Sequence, residues 1–456
     1  MTQTIEVGEY QSARAPASPP SKNDCLLADR LSRGSEDTEA RLTVRWLAGG
    51  DVEVTASSWV GVVRFSELEI KVVPKFVGGA LRVLRMLEYA GGVNLLRRLP
   101  ADRALPVKGD DLFDLVCLLL VEETLVLVRD GPLSDYREVN EGIDVMRGRL
   151  RYREQYLRRF GQLDVLECSF DEYDSDIPEN QLLAAALNVA RRRASEPAVR
   201  FGALRLAGVL SAVCHPTTDA PDWYERNIVY SRRNTRYRSA HELAKLVLRS
   251  AAFNDMYDTG GRGTTQVFLL NMNTIFERFV TRLVSEALDG TTLNVKAQDR
   301  YSAAIYDDAN HRSYSTIKPD LVVEDSVTRQ AIPIDIKYKL YGAKKLSTGD
   351  IYQTFMYAFA LGSRDVERRA GLIYPADSSR SGPALSIRPI EGPIAARITG
   401  AGLDVATALD ALGTGIERSR VMQQVRQLVA SIAGINELGL QASFASKPST
   451  LRAPIS

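Results

Sequence analysis

Two carboxylates and a lysine define the chemistry for which this chain is equipped. Asp335 and Lys337 stand two apart in AIPIDIKYKL (331–340). Asp320 precedes them in IKPDLVVED (317–325), and Gln353 and Tyr357 follow in GDIYQTFMYAFA (349–360). Two carboxylates held close repel each other and favour a hard divalent cation such as Mg²⁺, which takes oxygen ligands and keeps several waters. Such a metal lowers the pKa of a bound water and stabilises a phosphoryl oxyanion. A lysine beside it orients that water or neutralises developing charge. The reaction this set serves is phosphodiester hydrolysis, with Mg²⁺ as the expected cofactor and Mn²⁺ able to take its place.

The elements that must position these groups are legible around them. From 331 to 340 the alternation is strict: Ile332, Ile334, Ile336, Tyr338 and Leu340 on one face, Asp335, Lys337 and Lys339 on the other. Asp335 and Lys337 therefore project side by side from one strand. Asp320 follows Pro319 at the start of the preceding strand, a place where proline is tolerated. Gln353 and Tyr357 are four apart on a helix and share a face. Taken singly, a D-x-K is a solvated ion pair, and a Gln and a Tyr at helical spacing are surface and core. Their order is more specific. P-D, an apolar strand, D-x-K and then Q-x-x-x-Y on a helix resembles the PD-(D/E)xK nuclease superfamily, and its RecB-type branch in particular.

Length and composition set the frame. A chain of 456 residues holds two or three domains, and its 45% hydrophobic and 25% charged content is ordinary for a globular protein. The formal net charge of +1 excludes a bulk positive field, so any nucleic-acid contact must come from local patches. The four cysteines (Cys25, Cys117, Cys168, Cys214) are scattered, and the three histidines have no ligand spacing. Reduced thiols and a cytoplasmic location are expected. The densest apolar run, 115–121, is far too short to cross a membrane. The first residues have no apolar signal core.

Along the chain, 1–10 reads as a short strand and 11–37, rich in Ser, Pro and charge, as a loop or mobile insert. Three β-type stretches follow, to about 77. Residues 81–89 read as a helix ended by Gly91 and Gly92, and 110–128 as a buried central helix. In 147–153 arginines alternate. If the chain is extended there, Arg147, Arg149, Arg151 and Arg153 fall on one side, as a solvated face or as a phosphate or partner contact. Residues 170–181 read as an acidic loop before a helix capped by Asn180 or Asp176. The basic segment 231–239 is either an exposed loop or a backbone contact. One long amphipathic helix is expected over 266–288, with Glu277 at its flank as a further metal ligand or a plain surface residue. Residues 292–304 supply the first strands of a catalytic sheet, and 370–376 and 384–390 two more. Helices fill 405–432, and the polar tail from 441 is frayed. The expected fold is a multidomain α+β and α/β chain. A β-rich domain spans 1–77, a mainly helical, partner-binding middle region 78–260, a nuclease domain with a mixed, helix-flanked sheet 261–395, and C-terminal helices with a polar tail 396–456.

A wider resemblance emerges from the segments taken in order. IEVGEYQ, VGVVRFSELEIKVVPKF, LRMLEYAGG, MRGRL, CSFDEYDSDIPENQ and IFERFV, followed by the nuclease motif, resemble the McrC family, the nuclease subunit of McrBC restriction systems. The resemblance covers residues 1 to about 390. It implies a partner, a McrB-like hexameric AAA+ motor hydrolysing GTP (or ATP) that reads modified double-stranded DNA and translocates. McrC-like proteins stimulate that motor and cut, and their N-terminal part enters its ring. Residue by residue, the resemblance makes Asp320 and Asp335 the Mg²⁺ ligands, Lys337 the residue serving the attacking water, and Gln353 and Tyr357 positioning groups. Glu277 is an additional ligand, and Arg147 and Arg149 are contact residues chosen from charge alone. The chain has no G-x-x-x-x-G-K-[ST] of its own and no groove-reading motif. A cutter with neither reader nor motor borrows both. Two other readings stay open: a non-catalytic activator of an AAA+ motor, and a stand-alone RecB-like nuclease.

Overall fold

The computed structural model describes residues 3–34, 40–75, 77–97, 111–216, 220–255, 266–339, 341, 344–362, 367–413 and 415–435. The frayed tail expected from 441 lies outside them. The first part of the chain alternates apolar and polar residues and builds β1 (Gln3–Gly8), β2 (Ser12–Pro16), α1 (Lys22–Ser32), β3 (Leu42–Trp46), β4 (Asp51–Ala56), β5 (Trp59–Arg64) and β6 (Leu68–Val73). β2, β4 and β3 form a three-stranded antiparallel sheet, while β1 runs parallel to β6 and β5 antiparallel to it. Val52, Val54, Leu68, Ile70 and Val72 meet in one core with Leu27 and Leu31 of α1.

Two elements, β2 and α1, stand where a loop was expected. Ser21 and Asp24 form a capping box, with Asp24 N donating to Ser21 Oγ (3.1 Å) and Ser21 N to Asp24 Oδ2 (2.9 Å). Asp24 also accepts from Ser66 N at 3.0 Å, which ties the helix to the turn before β6. The Ser- and Pro-rich composition marks where α1 starts, not an absence of structure.

The middle of the chain is mainly helical. It holds α2 (Ala80–Gly91), closed by Gly92 at φ 62, and the buried α3 (Leu112–Arg129), capped by Asp111. A small sheet follows, built from β7 (Asp135–Ile143), β8 (Arg149–Leu150) and, after α4 (Tyr152–Arg159), β9 (Leu166–Asp174), in the order β7-β9-β8. Then come α5 (Pro178–Arg193), α6 (Pro197–Ser211), α7 (Pro221–Asn227) and α8 (Arg238–Asp255). Asp171, Glu172 and Asp174 lie in β9 rather than in a loop, and two arginines offset their charge: Arg137 of β7 with Asp174 (3.1 Å) and Arg147, just before β8, with Glu172 (3.5 Å). The arginine run is extended only to Leu150. Arg151 caps α4 and pairs with Glu154 at 2.9 Å, so four guanidiniums do not share a side. Neither Asn180 nor Asp176 caps α5. Pro178 opens that helix, and buried Asn180 instead donates to the Leu133 and Ser175 carbonyls (2.8 and 2.7 Å).

Residues 266–288 are not one helix but β10 (Gln266–Asn271) and α9 (Met272–Leu288). Val267, Phe268, Leu269 and Leu270 satisfy either period, and pairing with β5 settles it: β10 adds antiparallel, giving the sheet β1-β6-β5-β10. The Asn271 side chain accepts from Asn273 N and starts α9. Gly61 makes this pairing possible. It sits at φ +139, and a Cβ there would collide with the Phe268 carbonyl oxygen. Gly61→Ala is therefore expected to cost about 2–3 kcal/mol from strain and lost pairing. Chemical denaturation with a lowered midpoint and unchanged slope would show it.

After α9 come β11 (Leu293–Ala297), β12 (Tyr301–Asp307), β13 (Arg312–Ile317), β14 (Leu321–Asp325), β15 (Ala331–Ile336), α10 (Thr348–Leu361), β16 (Arg369–Pro375), β17 (Arg380–Ile387), β18 (Ala396–Leu403), α11 (Val405–Ala411) and α12 (Gly415–Ala433). Six strands form a mixed sheet in the order β11-β14-β15-β16-β18-β17, with β15, β16 and β18 parallel. The buried β18 was not foreseen. β12 pairs only with β13, outside this sheet. Ile332, Ile334 and Ile336 face α9 and α12, whereas α10 packs over the opposite face through Ala358 against Ala370 and Ala396. The chain is thus a mixed α/β assembly of several sheets and helical layers. Among the described residues no helix is long and apolar enough to cross a membrane.

Candidate active site

The antiparallel register of β14 and β15 pairs Leu321 with Ile334, so Asp320, one step beyond, arrives beside Asp335. Asp320 Oδ2 accepts from Ile336 N at 2.7 Å, which fixes its carboxylate across the end of β15. Asp335 is 2% exposed. Lys337 Nζ lies 3.0 Å from Asp335 Oδ2, off the hydrogen-bonding direction, so that buried oxygen accepts no hydrogen bond. Lys337 extends the strand, its N–H donating to the Ile373 carbonyl of β16 at 2.9 Å.

The electrostatics follow from this crowding. Burial, then Asp335 and then Glu277 push the Asp320 carboxyl up to about 7. Asp335 is also raised, by burial first, with Lys337 opposing. Burial acts against the Lys337 ammonium, but Asp335 and Asp320 outweigh it and its pKa is raised. Lys337 therefore remains a cation. It is suited to neutralising charge and unsuited to accepting a proton as a base.

Glu277, on α9, accepts from Gln298 Nε2 at 2.6 Å. Its charge reaches Asp320, but no group of three His, Cys, Asp or Glu side chains closes into a metal cage among the described residues. The donor set is two adjoining carboxylates, one with an orphan oxygen. That set fits Mg²⁺, which binds through one or two carboxylates and keeps its waters.

Gln353 and Tyr357 meet on α10, with Gln353 Nε2 donating to the Tyr357 hydroxyl at 2.8 Å. The same hydroxyl donates to the Lys318 carbonyl at 3.4 Å, tying the helix to the turn that carries Asp320. Tyr357→Phe is expected to slow cleavage roughly tenfold, as loss of a supporting bond does around metal sites. The stability loss should be about 1 kcal/mol. Parallel rate and melting measurements would separate the two effects.

Several residues at the site carry no sequence signal. Gln298, at φ +54, donates its N–H to the Asp320 carbonyl at 3.0 Å and bridges Glu277 to Lys318. Asp350, buried in the first turn of α10, accepts from Lys339 Nζ (3.1 and 2.9 Å) and from the Tyr341 hydroxyl. Tyr338, next to Lys337, is buried beneath the sheet. Its hydroxyl donates to Glu9 Oε2 at 2.9 Å, and Tyr10 donates to its carbonyl at 2.8 Å. The β1 sheet thus anchors the strand that carries the lysine. Arg147 and Arg149 sit elsewhere, on the β7-β9-β8 sheet. Arg147 stacks 4.2 Å above Phe170, and Arg149 is exposed. Neither contacts the carboxylate pair.

Comparison with known proteins bears on the family and on the fold. A family described as "McrBC 5-methylcytosine restriction system component" matches residues 54–375. One similar solved structure comes from a tetradecameric assembly of Thermococcus gammatolerans McrB AAA+ hexamers with bound McrC. It is 19% identical over 94% of this chain and 100% of that one, with a TM-score of 0.57, a likeness of fold. Another, a cryo-EM structure of the Thermococcus gammatolerans McrBC complex, is 20% identical over 63% of this chain and 88% of that one, with a TM-score of 0.44. No curated protein matches significantly. With the family match spanning well over half of its length, the chain belongs to the family of McrBC 5-methylcytosine restriction system components.

Proposed function

We propose that this chain is the DNA endonuclease subunit of a McrBC-like antiphage restriction complex, with a PD-(D/E)xK site that hydrolyses phosphodiesters and depends on Mg²⁺. The observation that carries the reading is the adjoining pair of half-buried Asp320 and buried Asp335, with one Asp335 oxygen accepting no hydrogen bond, beside a lysine kept charged. Asp320 and Asp335 would hold the metal, with Glu277, whose charge acts on Asp320, as a further ligand. When bound, Mg²⁺ supplies Lewis acidity and an activated water. Lys337 holds a positive charge beside that centre and offsets the charge that develops on the phosphate. Tyr357 and Gln353 keep the Asp320 turn in register. Burial beneath α10 makes each of these charges act more strongly than it would in water.

Membership of the family, and the McrB hexamers in the similar assembly, support an AAA+ partner that hydrolyses GTP or ATP, reads modified duplex DNA and drives cutting. The test is cleavage of modified and unmodified duplex DNA with Mg²⁺, by this chain alone and with the AAA+ protein encoded beside it plus GTP or ATP. Cleavage confined to the complete mixture supports the proposal. Efficient cleavage by the chain alone would make it a free-standing nuclease, and motor stimulation without cleavage would make it an activator.

A further inference from the structure

The β12–β13 ribbon has no structural task that the fold accounts for. It belongs to no larger sheet and packs substantially on no other element. Residues 312–316 are all exposed, with Tyr314 at 76% and Tyr306 at 51%. A lone two-stranded hairpin is marginally stable in water, yet this one is carefully closed. Asp307 accepts from the Ala309 and Asn310 N–H groups (3.1 Å each) and from Asn310 Nδ2 (2.7 Å), which organises the tip.

Its position is what gives it meaning. β13 ends at Ile317 and leads directly into Lys318 and Asp320, so the base of the ribbon adjoins the carboxylate pair. Tyr357 holds that base through the Lys318 carbonyl. Six residues of strand reach about 20 Å, and a two-stranded ribbon fits a major groove about 12 Å wide. Arg312, Tyr314 and Thr316 alternate onto one face. The Arg312 side chain makes no ion pair or hydrogen bond among the described residues, and Arg300 at the base is likewise exposed. Hydroxyls, an aromatic ring and open guanidiniums match phosphates and base edges, whereas the scarcity of exposed aliphatic side chains suits an apolar protein partner poorly.

We propose that the β12–β13 ribbon is a duplex-DNA grip belonging to this chain, through which Arg312 and Tyr314 hold the substrate beside Asp320 and Asp335. The inference rests on the nuclease reading above. It is tested with the full-length protein, a fluorescent duplex, and Ca²⁺ in place of Mg²⁺ to permit binding without cutting. The double variant Arg312→Ala, Tyr314→Ala should bind about tenfold more weakly, and its slope of log K against log salt should fall by about one. Tyr314→Phe should bind nearly as tightly as the parent, and all variants should melt alike because the side chains are exposed. If the parent binds and the complete mixture cuts, while the double variant keeps its affinity and salt slope, the ribbon proposal is overturned and the nuclease reading stands. Loss of motor binding or self-association with unchanged DNA affinity also overturns it, in favour of a protein contact. No duplex binding by the parent overturns the ribbon proposal, and no cutting in the complete mixture overturns the nuclease reading as well.

Discussion

Asp335→Asn is expected to lower cleavage on the order of 10³-fold or more while the protein stays folded and engages its motor partner. The substitution keeps the shape of a side chain that is 2% exposed, so packing on the α10 side of the sheet survives. What changes is charge. The variant has no carboxylate to share a cation with Asp320, and Lys337 loses the neighbour that most strongly holds it protonated. Loss of cutting with NTP hydrolysis still stimulated is the expected outcome. Loss of both together would mean that Asp335 acts on folding or assembly.

Asp320→Asn should disable cleavage and yet make the metal-free protein more stable at alkaline pH. The folded-state pKa of Asp320 is raised to about 7, above the ordinary carboxylate value of about 3.9. Between those values the folded state binds more protons than the unfolded state, so stability falls as pH rises through that window. It is greatest below pH 4, and the full penalty is present above about 7. The penalty is on the order of a few kcal/mol, shared between two carboxylates that titrate as a pair. Asparagine removes it and can still accept the Ile336 N–H. In EDTA at pH 8 the variant should melt several degrees above the parent, with the gap narrowing below pH 7 and closing toward pH 4. Mg²⁺ should raise the melting point of the parent alone. A variant that melts lower than the parent at pH 8 would contradict the crowded-carboxylate account.

What the sequence disclosed depended on how many physical signals agreed. Ile332, Ile334 and Ile336 alternate with polar partners, so β15 and the direction of Asp335 could be read directly. The Gln353 to Tyr357 spacing likewise placed both on one face of α10. β18 stayed hidden because Ala396, Gly400, Ala401 and Gly402 have low strand propensity. The fold needs them small: a Cβ on Gly402 would crowd Ala376. β10 was masked by a run that fits either period, and only pairing with β5 decides it. α1 was masked by its flanks. The arginines from 147 to 153 show the reverse failure, since a pattern that looked functional is divided between a two-residue strand and a helix whose first turn pairs Arg151 with Glu154. Gln298 and Asp350 reach the site through tertiary contacts that no local pattern encodes.

The most direct measurement uses Lys337→Ala in the complete mixture of AAA+ partner, nucleotide, Mg²⁺ and modified duplex, with strand cleavage and NTP hydrolysis followed together. The Lys337 side chain is 23% exposed and lies outside the apolar core, so its removal should leave assembly intact. Undiminished NTP hydrolysis with cleavage abolished is the expected result, and it would place the reacting centre at Asp320, Asp335 and Lys337. Cleavage within a few-fold of the parent would show that phosphodiester bonds are cut elsewhere.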